Sequence, residues 1–404
     1  MTSILFHVLL TLAAILVVGR VFGRLLARVG QPPVIGEIVA GIVLGPSVLG
    51  AALAGRLLPP EAAPALGIVA QLGVVLYMFL VGLELDLGAL RGRQRTAAGL
   101  VAALGTAVPF ILGAGLAVVL HGRFAPSGVT LLPFALFLGV ALAVTAFPVL
   151  ARILADRGLA DTDIGRISLG AAALGDVAAW CLLAVVVGLA TARPGEGLAV
   201  VAGAAVFVAA VVGLVRPALR AWLGRSAADA SDGAAVPVLV ALALAAAAVT
   251  EAIGIHALFG AFAVGAVVPH DAPAARALPR ALAPAVVGVL LPAFFASTGM
   301  RTRIDLVTGA DLWLVTAVVI AVATAGKVAG ALAGARLGGL AWRDAALVGA
   351  LMNTRGLMEL IVLDVGLALG ILSPTLFAIL VVMAVVTTGM TGPVVRWLLR
   401  PGGV

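Results

Sequence analysis

Asp176 stands in the run ISLGAAALGDVAAWCLLAVVV, ten residues after Arg166 and too far from either end of the apolar stretch to snorkel to water. A charge at that depth costs about 2.5–3.5 kcal/mol on insertion scales, so an ionisable residue there is a functional candidate by default. A carboxylate can hold a bare monovalent cation or a proton, one excluding the other, and that competition is the chemistry of an exchanger. The plainer alternative is a structural carboxylate paired with a neighbouring helix.

Two further strings place polar groups at the same depth. In ALAVTAFPVLARIL, Pro148 cannot donate to a helix ladder and disfavours helical geometry at Phe147, so backbone carbonyls near Thr145 and Ala146 are expected to be freed. With Asp176 they would complete an oxygen cage for an alkali cation, while Phe147 packs rather than binds. In ALMNTRGLMELIVL, Asn353, Thr354, Arg355 and Gly356 interrupt a second apolar run. Arg355 and Glu359 are four residues apart, on one helical face, where they form a buried ion pair or reach the broken helix ends. Their role reads as architectural. Lys327, in ATAGKVAGALAG, is buried by position and is expected to neutralise a crossing helix end or a carboxylate.

Other groups carry less. Glu37 serves either an access funnel or an interfacial cap; Glu84 and Asp86 read as edge charges, and Asp364 faces either a vestibule or the membrane surface. His7, His121, His256 and His270 show no metal-ligand spacing. No Walker-type loop is present, which argues against transport powered by ATP, and no cofactor is expected.

The elements that must position these residues are membrane helices. Over 404 residues, 63% are hydrophobic and 11% charged, and the mean hydropathy is +1.25, which leaves too little polar surface for a soluble globule. Fifty glycines favour closely approaching helices. The net charge of +7 does not indicate nucleic acid, because the arginines lie in short loops rather than along one basic face. The lone Cys181 excludes an intramolecular disulfide and a cysteine-rich metal site. The first apolar run lacks the basic stretch and cleavage site of a secretory signal and reads as a retained helix.

Apolar runs separated by charged or Pro/Gly breaks define thirteen spans: 4–28, 33–50, 66–84, 96–120, 131–155, 163–190, 198–218, 236–253, 255–270, 282–300, 311–337, 342–369 and 374–399. Loops after odd-numbered spans, with the carboxyl end, hold eighteen of the 25 Lys and Arg residues, and loops after even-numbered spans hold five. The positive-inside bias therefore puts the amino terminus outside and the carboxyl terminus in the cytoplasm of a cell inner (plasma) membrane. GEIVAGIVLGP in the second span matches GAFAVGAVVP in the ninth, and FLVGLELDL in the third matches FFASTGMRTRIDL in the tenth. An offset of seven spans is odd, so spans 1–6 and 8–13 form two inverted repeats with span 7 (198–218) as linker. The same offset pairs the two interrupted spans, the fifth and the twelfth, and matched broken helices mark a midplane ion site.

The strings QPPVIGEIVAGIVLGPSVLG, VVLYMFLVGLELD, AVTAFPVLARIL, GDVAAW, FGAFAVGAVVP and NTRGLMELIVL together resemble the monovalent cation:proton antiporter-2 family over nearly the whole chain, nearest its Kef-type and plant cation/proton exchanger branches. The resemblance implies an all-α sodium/proton antiporter fold with crossed broken helices, exchanging sodium or potassium for protons. It implies a homodimer joined through a dimerisation part (1–90 and 236–303), a core part (96–190 and 311–400) that moves by elevator-like alternating access, Asp176 as the essential aspartate and Lys327 as the core lysine. The sequence departs at Gly175, where relatives place Asn, Gln or Asp, so the site keeps one carboxylate. It ends soon after the thirteenth span, and a cytosolic nucleotide-binding regulatory domain is not expected. Gly175 also frames the competing reading, a non-transporting receptor, scaffold or membrane enzyme on the same fold, which cation-dependent proton flux would separate from an exchanger.

Overall fold

In hydrocarbon, every backbone N–H and C=O must find its partner within the protein, and for apolar runs of these lengths the helix is the solution. The computed structural model describes residues 3–28, 33–84, 92–160, 162–191, 197–226, 235–269 and 272–399, and all regular structure among them is helical. The helices are α1 (Ile4–Ala27), α2 (Pro33–Leu44), α3 (Gly50–Leu57), α4 (Ala63–Glu84), α5 (Gly92–Phe124), α6 (Leu131–Ala143), α7 (Phe147–Asp156), α8 (Asp163–Thr191) and α9 (Gly197–Ala210). They continue with α10 (Arg216–Ser226), α11 (Ala235–Ile253), α12 (Leu258–Val267), α13 (Pro273–Ala285), α14 (Leu291–Arg301), α15 (Gly309–Leu337), α16 (Trp342–Met352), α17 (Leu357–Ala368) and α18 (Pro374–Leu399). Short π-helical turns at Val211–Val215 and Val286–Leu290 join α9 to α10 and α13 to α14.

Among the described residues, nine helical stretches are long and apolar enough to cross a membrane, and three shorter apolar helices fall within the second, fifth and ninth spans. The twelfth span is the pair α16 and α17, so each of the thirteen apolar runs has its helix or half-helices. Large side chains such as Val119, Ile68 and Leu214 are more than two-thirds exposed, as a lipid-facing surface requires.

The chain divides into two compact units. The first comprises Met1–Gly19, Ala52–Asp86 and Val187–Ser297. Within it α4 and α12 cross where a Cβ on Gly82 would run into the Phe262 carbonyl and one on Gly265 into the Phe79 carbonyl. The second comprises Arg20–Ala51, Leu87–Val186 and Thr298–Val404. Within it the end of α14 lies on α2 in the same manner, with Gly299 against the Ile38 carbonyl and Gly41. Gly82 and Gly299 fall in the matched third and tenth spans, and Gly265 and Gly41 in the matched ninth and second. Each repeat thus lends one helix of this pair to the other, a small-residue contact in which backbones take the place of side chains.

The second unit is organised by α5 and α15. Gly330 and Gly334 of α15 bring it onto the Leu104 and Leu100 carbonyls of α5. Gly330→Leu is therefore expected to force the two backbones apart and destabilise the fold by about 1–3 kcal/mol or more, as overpacking does. A thermal-denaturation curve in detergent that overlays the parent's would refute that contact.

Candidate ion site

All the residues that gather here belong to the second unit. The fifth span is interrupted at residues 144–146, between α6 and α7. The interruption falls one step earlier than Pro148 alone suggests, and Phe147 is the first helical residue of α7. Pro148 occupies the opening turn of the new helix, where its missing N–H would have had no intrahelical acceptor in any case, so it starts the second half rather than ending the first. Its side chain lies outside the described part. In the twelfth span, Gly356 takes φ +146°, a conformation closed to residues with a Cβ, and separates α16 from α17.

The two interruptions meet. The Ala146 amide donates to the Thr354 carbonyl at 3.0 Å, and the Thr145 hydroxyl reaches the Met352 carbonyl at 3.5 Å. Backbone groups that each break frees are thus partly satisfied by the other, the condition for non-helical backbone at membrane depth. The Ala146 carbonyl itself accepts from the Leu150 amide at 2.9 Å. Thr145, Ala146 and Thr354 are fully or almost fully buried, whereas Phe147 is partly exposed.

Two cations serve the carboxyl end of α6, where the last carbonyls carry the negative end of the helix dipole. Lys327, buried on α15, donates its ammonium to the Gly105 carbonyl of α5 at 2.9 Å and to the Ala143 carbonyl. Arg355 donates to the Ala141 carbonyl at 3.1 Å and to the Leu142 carbonyl at 2.6 Å. Arg355 also pairs with Glu359 at 3.3 Å, both side chains fully buried. Its own backbone is pinned by Thr388 of α18, whose hydroxyl accepts from the Arg355 amide at 3.2 Å and donates to the Arg355 carbonyl at 2.7 Å. Lys327 and Arg355 thus both reach the carboxyl end of α6, and Arg355 keeps its pair with Glu359 as well.

Asp176, on α8, is 3% exposed. Among the described residues neither of its carboxylate oxygens has a hydrogen-bond partner, although Lys327 lies within Coulombic reach. A buried carboxylate with both oxygens unfilled is costly unless something else fills them. Beside it, a Cβ on Gly175 would meet only the Thr106 hydroxyl, at 3.6 Å. The position has room for a larger residue and carries none.

Sequence reasoning did not single out Thr388 or the carbonyls of residues 141–143. The polar run TTGMTG within the last span was the available signal for Thr388. The remaining candidates stand apart. Glu37 is partly buried with Arg20 in Coulombic reach, and Asp364 pairs with Arg301 at 3.0 Å. His121 lies 2.9 Å from the Val129 carbonyl. Asp86 and His270, and the side chain of Glu84, lie outside the described part. Among the described residues no His, Cys, Asp and Glu cluster could hold a metal.

Residues 10–400 match the family described as Sodium/hydrogen exchanger, transmembrane. The chain belongs to that family. It is 40% identical to the Na(+)/H(+) antiporter NhaS4 of Synechocystis over 401 residues, covering 98% of this chain and 97% of that one. It is 40% identical to Cation/H(+) antiporter 19 of Arabidopsis thaliana over 98% of its own length, and 31% identical to K(+)/H(+) antiporter 1 of Saccharomyces cerevisiae over 91%. The chain spans about half the length of the plant relatives it matches. The sodium proton antiporter MjNhaP1 of Methanocaldococcus jannaschii superposes with a TM-score of 0.68 over 99% of this chain at 13% identity, a likeness of fold. The exchanger-family relatives so named are antiporters rather than enzymes.

Proposed function

We propose that this sodium/hydrogen exchanger family member is a secondary antiporter that trades a monovalent cation, sodium or potassium, for protons, with Asp176 as the alternating carrier. The observation that carries the reading is the buried Asp176 carboxylate with both oxygens unpartnered, on the same unit as two interruptions that hydrogen-bond to each other. A proton or a bare cation would each supply what those oxygens lack, and neither can bind while the other does. Thr145 and Ala146 contribute backbone oxygen to the cation, and Lys327 holds the end of α6. The names of the bacterial and yeast relatives, a sodium/proton and a potassium/proton antiporter, fit either cargo.

In this reading the protein is a homodimer in the inner membrane, amino terminus outside and carboxyl terminus in the cytoplasm. The parts 1–90 and 236–303 form the fixed dimer contact, and the parts 96–190 and 311–400 move as an elevator. Cation-dependent proton flux in proteoliposomes tests the exchange itself. Its absence with sodium, potassium and lithium alike would sink the proposal and favour a receptor, scaffold or enzyme.

The stoichiometry follows from Gly175. With a single carboxylate the loaded site carries the same charge whether it holds one cation or one proton, so exchange is one for one and electroneutral. The proton-flux reversal point, measured with sodium as cargo and the membrane potential clamped by potassium and valinomycin, is expected to stay where the ion gradients alone put it. A reversal point that moves with voltage would make Lys327 the first suspect for an added proton, since burial can let a lysine titrate.

A further inference from the structure

The carboxyl ends of the two half-helices that meet at the breaks are treated differently. The α6 end is occupied by the two cations described above. The α16 end has no cationic side chain within hydrogen-bond distance among the described residues. Its carbonyls at Ala350 and Leu351 accept only from the amides of Asn353 and Thr354 and the Thr354 hydroxyl, and Met352 takes the long bond from Thr145. This end of the dipole therefore lacks the direct cationic donors that the α6 end has. Asn353 caps that end. It is 4% exposed, and its side-chain oxygen is buried without a hydrogen-bond partner among the described residues. An orphaned buried acceptor costs about 1–3 kcal/mol unless a ligand satisfies it. The residues on either side of Asn353 are the ones that bind the break at residues 144–146. Lys327, bonded to the Ala143 carbonyl that immediately precedes that break, lies within Coulombic reach of Asp176.

The geometry points to Asn353 as a side-chain ligand of the transported cation, its oxygen supplying at the α16 end the polar group that Gly175 does not supply beside Asp176. This rests on the exchange reading above and adds to it a determinant of cation affinity and selectivity. Asn353 brings an oxygen without a charge, so the loaded site gains a ligand while the one-for-one balance stands.

Two variants test it. Asn353→Leu keeps the size and removes the oxygen; Asn353→Asp keeps an oxygen at the same place. In proteoliposomes, Asn353→Leu is expected to raise the apparent KM for the cation about tenfold, the loss of one contact to a charge, and to change the ratio of sodium to potassium KM. Asn353→Asp is expected to bring KM back to the parent value or below. An unchanged KM for both cations in Asn353→Leu, or a fall in maximal flux alone in both variants, would overturn the assignment in favour of a purely structural cap. Thermal stabilisation of the detergent-solubilised protein by NaCl or KCl, against choline chloride, separates this from failure of the exchange reading. If the parent shows no flux yet is stabilised by a cation, and Asn353→Leu loses that stabilisation, Asn353 is a ligand of a bound cation although exchange is wrong. Equal stabilisation of parent and Asn353→Leu, or none in the parent, overturns it.

Discussion

Asp176→Asn is expected to reduce cation-driven proton flux to the background of empty liposomes while leaving folding intact. The amide matches the carboxylate in size but cannot alternate between a charged and a protonated form, so neither half of the exchange can be carried. Folding should survive because neither oxygen of Asp176 makes a hydrogen bond among the described residues, so the substitution breaks none. Lys327 keeps its two carbonyl partners when the Coulombic attraction is lost. The measurements are proton flux on sodium or potassium addition and a melting curve of the purified protein. Undiminished flux in a well-folded variant would remove Asp176 from the mechanism. Flux lost together with the folded state would show a structural role instead.

The second large effect is on stability. Arg355→Ala removes the guanidinium that pairs with Glu359 and serves the carbonyls of Ala141 and Leu142. It leaves a fully buried carboxylate without its charge partner and two carbonyls of a helix end without their donor. Breaking one side of a buried pair typically costs about 3–5 kcal/mol. Thermal stability should therefore fall steeply, and Arg355→Met combined with Glu359→Leu should recover part of the loss, because the orphaned charge is gone and the volume is kept. An unchanged melting temperature for Arg355→Ala would falsify the assignment. A double variant no better than the single would mean that the α6 carbonyls, not Glu359, dominate the cost.

The two effects also separate the roles of the buried charges. Asp176 makes no hydrogen bond among the described residues and is expected to be dispensable for the fold, whereas Arg355 holds Glu359 and the carbonyls of Ala141 and Leu142 and is expected to be needed for it. The partners in the structure, rather than the depth of burial shared by both residues, make that distinction.

The thirteen apolar spans were legible from hydropathy alone, because crossing hydrocarbon demands length and apolarity of each segment by itself. The break at residues 353–356 was legible for the same local reason: Asn, Thr, Arg and Gly in succession cannot sit in lipid as an ordinary helix. The break in the fifth span was located less well. Pro148 marks it, but whether a proline ends one helix or starts the next depends on where the freed amides and carbonyls find partners, and that partner is Thr354 in a distant span. The matched glycine strings of spans 2, 3, 9 and 10 announced close packing without saying which helix would meet which.

By itself the sequence determined that Asp176, Lys327, Arg355 and Glu359 must be buried at membrane depth, since that follows from where each falls in its apolar run. It also determined that Arg355 and Glu359 could pair, four residues apart on one helix. Only the tertiary structure decided the rest. It put Lys327 on the Gly105 and Ala143 carbonyls, 222 and 184 residues away in sequence, gave Arg355 two further carbonyls on α6, and left Asp176 and Asn353 unfilled. The physical reason is that the cost of burying a charge belongs to the residue and its span, whereas its compensation belongs to whichever helix end is packed beside it.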